Sequence, residues 1–165
     1  MHLHDGDHDD AAVQNELLYT TIRGDDRDAV HVYSTKTWQR ISVIDIQCAE
    51  PKHLHTLGVN EQCVFISCRD THRIYQMSLD GILSDTYGKQ GIGMGEFACP
   101  FACMSDCDDN LLVADLWNNR LQLRRGRQWS VLKLQPPPSW PLNAVYDGNA
   151  LYVVQWGPYA LMKYE

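Results

Sequence analysis

Residues 88–134 form one complete structural unit and constrain the fold more than any other part of the chain. After a glycine-punctuated loop come four short runs of apolar or alternating character, with turn residues between them. Residues 111–114 are apolar at consecutive positions, as in a strand that is covered on both faces. Residues 120–123 alternate between polar and apolar, as in a strand with one solvent-exposed face. Four consecutive strands joined by turns indicate an up-and-down sheet. A sheet whose first strands are buried and whose last strands are exposed to solvent is typical of a β-propeller blade.

The same unit recurs along the chain. Arg120 follows Arg73 by 47 residues, and the apolar run 151–153 follows the run 111–113 by 40 residues. A repeat of about 40 to 50 residues with four strands indicates radial repetition. We therefore predict an all-β fold: a single propeller domain of about three and a half to four blades of four-stranded antiparallel sheets. The predicted blades cover approximately residues 1–46, 47–88, 89–135 and 136–165 of the whole chain, 1–165.

The third unit also resembles a known repeat. It contains Gly91-x-Gly93-x-Gly95-Glu96-Phe97-x-x-Pro100, followed by Asn110-Leu111-Leu112-Val113-Ala114-Asp115-x-x-Asn118-Asn119-Arg120-Leu121-Gln122. Together these segments resemble an NHL repeat, and the second unit keeps part of the pattern at Asp70, His72 and Arg73. The resemblance implies a propeller that often forms the target-recognition end of larger proteins, among them tripartite-motif ubiquitin ligases and RNA-binding translational regulators. The sequence has no RING or B-box pattern, so the resemblance implies that any ligase activity lies outside this chain.

Composition narrows the class of protein further. With 44% hydrophobic residues in 165, the chain has ample material for one core. No run of about 18 apolar residues occurs, which predicts no membrane span. The N-terminus lacks the basic start and apolar centre of a signal peptide, so we predict a cytoplasmic protein whose six cysteines are reduced. The net charge of −7 disfavours non-specific binding to nucleic acid.

Three of the cysteines, Cys99, Cys103 and Cys107, are evenly spaced by four residues. On an extended strand, neighbours in this set would lie about 13 Å apart, too far to share one metal ion. The spacing therefore favours buried structural thiols over a metal site.

The histidines offer a second possible metal site. His53 and His55 flank Leu54 where the innermost strand of the second blade is expected, and His2 and His4 form the same tripeptide one blade earlier. Alternation along a strand sends both histidines of a pair to one face, and inner strands line the central channel, where imidazoles can hold zinc. NHL-like peptidyl-α-hydroxyglycine α-amidating lyases place zinc-binding histidines on such strands. A zinc-dependent lyase is therefore the alternative function, although solvated or packed histidines are favoured.

The turns between second and third strands carry the most functional promise, because in a propeller they all emerge on the same face. Their exposed arginine, tryptophan and tyrosine side chains are typical of hot spots for a protein partner and of stacking platforms for single-stranded RNA. The alternative is that these are ordinary solvated turn residues. The candidate binding residues are Arg23, Arg27, Arg69, His72, Arg73, Trp117, Asn118, Arg120, Trp156 and Tyr159.

A second basic patch lies along an outer strand and its turn, at Arg120, Arg124, Arg125 and Arg127. Such charges discourage sheet-to-sheet pairing at an edge, or they dock an acidic segment. The edge role is favoured.

From these features we predict a non-catalytic binding scaffold that needs no cofactor and presents one face to a protein or RNA. Because the fourth unit ends after its third strand, we also predict an open or partial propeller. Its flanking blades would expose apolar faces containing Leu17, Tyr19, Leu151 and Val153, through which the chain would self-associate.

Zinc content of the purified protein separates the two functions. A binding scaffold should contain no stoichiometric zinc. One equivalent of zinc that is lost on His53→Ala would establish the lyase-like alternative instead, because removing one imidazole from such a site removes one of its few ligands.

Overall fold

The computed structural model describes residues 7–23, 28–45, 54–105 and 110–165, and of residues 7–9, 23, 54 and 55 it describes the backbone alone. The first sheet contains β1 (Asp7–Gln14), β2 (Leu17–Arg23), β3 (Ala29–Ser34) and β4 (Arg40–Asp45). The second contains β5 (Leu54–Val59), β6 (Cys63–Cys68), β7 (Arg73–Ser78) and β8 (Leu83–Tyr87). The third contains β9 (Pro100–Ser105), β10 (Leu111–Asp115), β11 (Arg120–Arg125) and β12 (Gln128–Val131). The fourth contains β13 (Pro141–Tyr146), β14 (Leu151–Gln155) and β15 (Ala160–Tyr164).

Within each sheet, consecutive strands pair antiparallel, so each sheet is an up-and-down unit. The four sheets form a four-bladed β-propeller, which confirms the predicted fold class. The only helix in the described residues is a single 3-10 turn, Leu116–Asn118, between β10 and β11. No helix in this part of the chain is long and apolar enough to cross a membrane.

Burial follows the pattern that the sequence predicts. All five residues of β10 are buried, whereas five of the six residues of the outermost strand β4 are exposed. Inner strands lie between neighbouring sheets and outer strands face water, which is why the apolar runs are consecutive in one and interrupted in the other.

Each sheet shares a hydrophobic cluster with the sheet that follows it in the sequence. The first and second sheets pack through Tyr19, Val30, Val32, Ile44, Leu57, Val59, Val64, Ile66, Cys68, Tyr75 and Met77. The second and third pack through Phe65, Ile74, Phe97, Cys103, Leu111 and Val113. The third and fourth pack through Ala102, Leu112, Ala114, Leu121, Ala144, Val153 and Tyr164. Among the described residues, no cluster joins the fourth sheet to the first.

Within the described residues the fourth sheet has three strands, as the sequence predicts, and β15 pairs only with β14. The predicted exposed faces, however, are wrong. Tyr19 and Val153 are buried, and Leu17 and Leu151 are half-buried, because these residues point toward the neighbouring sheet. Strand side chains alternate, so the exposed apolar residues are their neighbours on the opposite faces. They include Val13, Val145, Val154 and Leu161.

The innermost strands of all four sheets line a central channel of about 350 Å³. The lining segments are residues 10–14, 57–59, 103–105 and 143–145. These are the later residues of each inner strand, so the four strands run in the same direction. One charged group ties two of them together, since the Asp10 carboxylate accepts a hydrogen bond from the backbone N–H of Leu57 at 3.0 Å.

Gly58 marks the closest approach between two inner strands. A Cβ atom there would lie 3.0 Å from the carbonyl oxygen of Cys103 and 3.2 Å from the Cα of Met104. Both neighbours are backbone atoms of β9, so neither can rotate away as a side chain would. The absence of a side chain at this position therefore sets the spacing between the second and third blades.

We predict that Gly58→Ala lowers the free energy of unfolding by about 1–3 kcal/mol, because the added methyl group overpacks a rigid backbone contact. Gly157→Ala is the matched control, since the atom nearest to a Cβ there, Ser139 Oγ, would be at 3.8 Å, an ordinary contact distance. Urea unfolding measures both variants. Equal midpoints for the two would show that the strand spacing is not fixed by Gly58.

Candidate binding face

The turns between second and third strands lie at one end of the propeller, because the inner strands run in the same direction and each sheet runs up and down. We call this end the loop face. Its described turns are residues 69–72, 116–119 and 156–159. The matching turn of the first sheet lies outside the described residues. Arg27 and the side chain of Arg23, both candidate binding residues, are therefore not described.

Four exposed aromatic side chains, which we call the aromatic strip, run across the loop face of the third and fourth sheets. Their exposed fractions are 63% for Trp117, 48% for Trp140, 45% for Trp156 and 81% for Tyr159. The rings of Trp140 and Trp156 meet edge to face at 6.1 Å between centroids, and those of Trp156 and Tyr159 are stacked at 6.5 Å. Edge-to-face and stacked pairs are the favoured arrangements of aromatic rings.

Backbone hydrogen bonds hold the aromatic strip together across two sheets. The N–H of Trp140 donates to Asn119 Oδ1 at 2.8 Å, and the N–H of Trp156 donates to the carbonyl of Trp140 at 3.0 Å. Asn119 adopts the left-handed conformation at the end of the 3-10 turn, with φ of 53°. Asparagine tolerates this conformation better than most residues.

Trp117 also has a neighbour on the second sheet, since its ring lies 6.4 Å from that of His72. The Nδ1 atom of His72 accepts a hydrogen bond from the backbone N–H of Cys99 at 3.0 Å. An Nδ1 that accepts leaves the proton of the neutral ring on Nε2. His72 is therefore bonded within the protein through Nδ1, and its Nε2–H is a hydrogen-bond donor. Arg69 and Arg73, the remaining candidates on this sheet, are both exposed.

Arg120, another candidate binding residue, points inward toward the glycine-punctuated connection at residues 88–97, which we call the glycine loop. Its Nε donates to the fully buried carboxylate of Asp115 at 2.8 Å. Its two terminal nitrogens donate to the carbonyls of Ile92, Gly93 and Glu96 at 2.6–2.9 Å. The guanidinium side chain is only 15% exposed. It therefore holds the glycine loop against the third sheet.

The Asp115 carboxylate is the centre of a larger network. Besides the Arg120 pair, it accepts hydrogen bonds from the N–H of Ala98 at 2.7 Å, from Asn118 Nδ2 at 2.8 Å and from Gln122 Nε2 at 3.2 Å. The same Asn118 nitrogen donates to the Gly91 carbonyl at 2.9 Å. Asn118, like Arg120, is thus engaged within the protein.

Glu96 closes the glycine loop from within. Its carboxylate accepts a hydrogen bond from the N–H of Gly93 at 2.9 Å and forms an ion pair with Lys89 at 3.1 Å. The hydrogen bond from Gly93, followed by the contact with Lys89, lowers the pKa of Glu96 below its ordinary value. Because this internal carboxylate accepts the Gly93 N–H, the loop is an internally bonded structural element.

The cysteine prediction falls partly within the described chain. Cys99 and Cys103 are buried, and burial raises the pKa of Cys99 to about 11 and that of Cys103 to about 12. Burial disfavours the reactive thiolate form of both side chains, as is usual for structural cysteines. Cys107 lies outside the described residues.

The histidine alternative falls on residues that the structure does not describe. His2, His4 and His53 lie outside the described ranges, and only the backbone of His55 is described, at the start of β5. The described residues contain no cluster of three or more potential metal ligands. The zinc hypothesis therefore stays a prediction.

Sequence reasoning missed one member of the aromatic strip. Trp140 lies in the segment between the third and fourth sheets, whereas the prediction considered only turns between second and third strands. The sequence position of Trp140 was sufficient to place it on the loop face, because connections between blades emerge at the same end as those turns. Ile92 and Met94, 81% and 72% exposed in the connection before β9, extend the apolar surface at this end.

No protein-family model matches the chain, and no curated protein matches its sequence. A protein of unknown function from Bacteroides thetaiotaomicron superimposes with a TM-score of 0.77 at 20% identity, over 96% of this chain and 47% of that chain. Virginiamycin B lyase from Staphylococcus aureus gives a TM-score of 0.60 at 11% identity, over 96% and 55%. The computationally designed Ika4 protein gives 0.61 at 10% identity, over 98% and 92%.

The chain thus spans about half the length of the two natural proteins and nearly the whole of the designed one. At these identities the likeness shows the propeller fold alone, so the NHL resemblance stays a prediction.

We predict that Arg120→Ala lowers the free energy of unfolding by about 3–5 kcal/mol, because it leaves the buried Asp115 carboxylate without its cation. Arg127→Ala is the control, since Arg127 is exposed in the turn after β11 and should change stability by less than about 0.5 kcal/mol. Equal urea midpoints for the two variants would contradict a stabilising role for Arg120.

Proposed function

We propose that this protein is a non-catalytic binding scaffold whose aromatic strip engages a protein partner. The observation that carries the proposal is the exposure of Trp117, Trp140, Trp156 and Tyr159 on one face, where the rings of Trp140, Trp156 and Tyr159 contact one another. Single exposed apolar residues are common on protein surfaces, whereas contiguous apolar patches indicate interaction sites.

The chemistry of the aromatic strip suits a protein interface. Tryptophan and tyrosine dominate binding hot spots, because each buries a large area while losing few side-chain rotamers. Their rings are held in place by contacts with each other and by the backbone bonds of Trp140 and Trp156. Preorganised side chains lose less entropy on binding, so more of the contact energy contributes to affinity.

A protein partner is favoured over RNA on electrostatic grounds. Single-stranded nucleic acid binds to aromatic platforms that lie in positively charged grooves. Here Arg120, the arginine nearest Trp117 in sequence, is engaged with Asp115, and the turn that carries Trp156 and Tyr159 has no charged residue. The chain as a whole has a net charge of −7. Arg69 and Arg73 are the described cations that a phosphate backbone would meet on the second sheet.

The sequence resemblance supports the same class of function. NHL propellers, which this chain resembles, are often the target-recognition part of larger proteins. The exposed aromatic residues of the loop face are consistent with that role. The rival class is a zinc-dependent lyase. A solved lyase shares the fold, but at 11% identity this supports no transfer of its activity. Cytoplasmic localisation and self-association through blade edges are part of the proposal and rest on the sequence alone.

The test uses selections from two random pools, one of displayed peptides and one of single-stranded RNA. We predict that peptides are selected and that Trp156→Ala weakens their binding about 30-fold, the loss expected for a hot-spot residue worth about 2 kcal/mol. Trp38→Ala is the control, because Trp38 is 53% exposed but lies in the β3–β4 turn at the opposite end. Its affinity should stay within about threefold of the original.

Two results would contradict the proposal. Selected RNA whose affinity falls steeply with salt and on Trp117→Ala would replace the protein partner with a nucleic acid. Equal losses in Trp156→Ala and Trp38→Ala would show that the aromatic strip is not the binding surface.

A further inference from the structure

The shape of the aromatic strip restricts the kind of peptide that fits it. The planes of Trp140 and Trp156 are inclined at 84°, so the two rings meet as the walls of a corner. Tyr159 extends the wall that Trp156 forms, because the planes of these two rings are inclined at only 29°. A single flat wall suits the stacking of a planar base. A corner suits a compact, non-planar ring that contacts both walls at once.

The backbone on both sides of this corner is restricted by proline. Residues 136–138 are three consecutive prolines shortly before Trp140, and Pro158 lies between Trp156 and Tyr159. Each proline ring fixes φ near −65° and so removes conformations from the segment that carries the aromatic rings. The corner is therefore held in place without a ligand, and a ligand that fills it pays little entropy for ordering these side chains.

The free polar atoms of the aromatic strip are mainly donors. Within the part of the chain that the structure describes, none of its three indole N–H groups forms a hydrogen bond. The side-chain acceptors beside them are already engaged. Asn119 Oδ1 accepts the N–H of Trp140 at 2.8 Å, and Gln155 Oε1 accepts the N–H of Ser139 at 3.0 Å. A matching ligand offers acceptors and few donors, as proline does, since proline has a backbone carbonyl but no backbone N–H.

The second-sheet end of the aromatic strip carries exposed cations. The ring of Trp117 lies 6.4 Å from that of His72, and the exposed Arg69 and Arg73 flank this histidine in sequence. Neither arginine has an ion-pair partner among the described residues. Asp70, also exposed, is the one opposing charge in this turn, so the two arginines leave it with net positive charge. The turn of the fourth sheet has no charged residue. An acidic group is therefore attracted to the second-sheet end of the strip.

Building on the protein-binding function proposed above, we propose that the aromatic strip binds a proline-rich segment of a partner protein that has acidic residues at one end. A proline ring fills the corner between Trp140 and Trp156, and the carbonyls of the segment accept hydrogen bonds from the indole N–H groups. The acidic residues pair with Arg69 and Arg73. Proline-rich segments already adopt the extended polyproline II conformation, so they bind aromatic surfaces with little loss of entropy.

Calorimetric titration of the full chain with three synthetic peptides tests this assignment. The first peptide has ten prolines with two aspartates on each side, so that it can bind in either direction. The second has alternating alanine and serine in place of the prolines, and the third has lysines in place of the aspartates. We expect the first to bind at least about tenfold more tightly than the second and at least about threefold more tightly than the third.

Two matched variants separate the role of the indole N–H from that of the ring. Trp156→Phe keeps an aromatic ring but removes the donor, and it should weaken binding of the first peptide about threefold to tenfold, as expected for one neutral hydrogen bond. Trp38→Phe is the control, because Trp38 is 53% exposed at the opposite end of the propeller. Its affinity should stay within about twofold of the original. A urea midpoint within error of the original verifies that each variant is folded.

The proline-rich ligand is overturned if the first two peptides bind equally, if the lysine peptide binds best, or if the two variants lose the same affinity. The random-peptide selection described above distinguishes this failure from failure of the protein-binding function. Selected peptides that are not enriched in proline would refute the proline-rich ligand and leave the binding function in place. A pool that yields no binding peptide would refute both.

Discussion

The buried carboxylate of Asp115 is the interaction on which the loop face of the third sheet depends. It receives hydrogen bonds from the segment before β9, from the 3-10 turn and from two side chains of β11. The turn that it holds carries Trp117 and ends at Asn119, whose side chain accepts the N–H of Trp140. The position of the aromatic strip therefore follows from a single desolvated charge. A buried carboxylate is stable only when its oxygens are hydrogen-bonded, and here four donors bond to them.

The sequence was sufficient for the fold because strand propensity, burial and repeat length all indicated the same architecture. It was less informative about which polar residues are available to a partner. Arg120 and Asn118 are residue types that are common in binding sites, yet both donate hydrogen bonds to backbone carbonyls of the glycine loop. Their partners in this loop lie 27 residues earlier in the sequence. At that separation no local sequence pattern indicates which residues will bond to each other. Trp140 was missed for the complementary reason, since its exposure depends on how the connection between blades is routed.

The exposed faces of the end sheets show how sensitive strand predictions are to register. Tyr19 and Val153 belong to the expected strands, but they point into the shared clusters, while Val154 and Leu161 point outward. Side chains alternate with a period of two, so an error of one residue exchanges the buried and exposed faces.

The bond between Trp156 and Trp140 has a thermodynamic consequence for the fourth sheet. In the part of the chain that the structure describes, this sheet has three strands and is joined to the third by a cluster that contains three alanines. A partner that spans Trp117 and Tyr159 would touch both sheets at once. Its affinity for the native arrangement would then add directly to the free energy that keeps the fourth sheet docked. Binding of a partner at the loop face and the stability of the contact between the third and fourth sheets would thus be thermodynamically linked, so that a change in one would change the other.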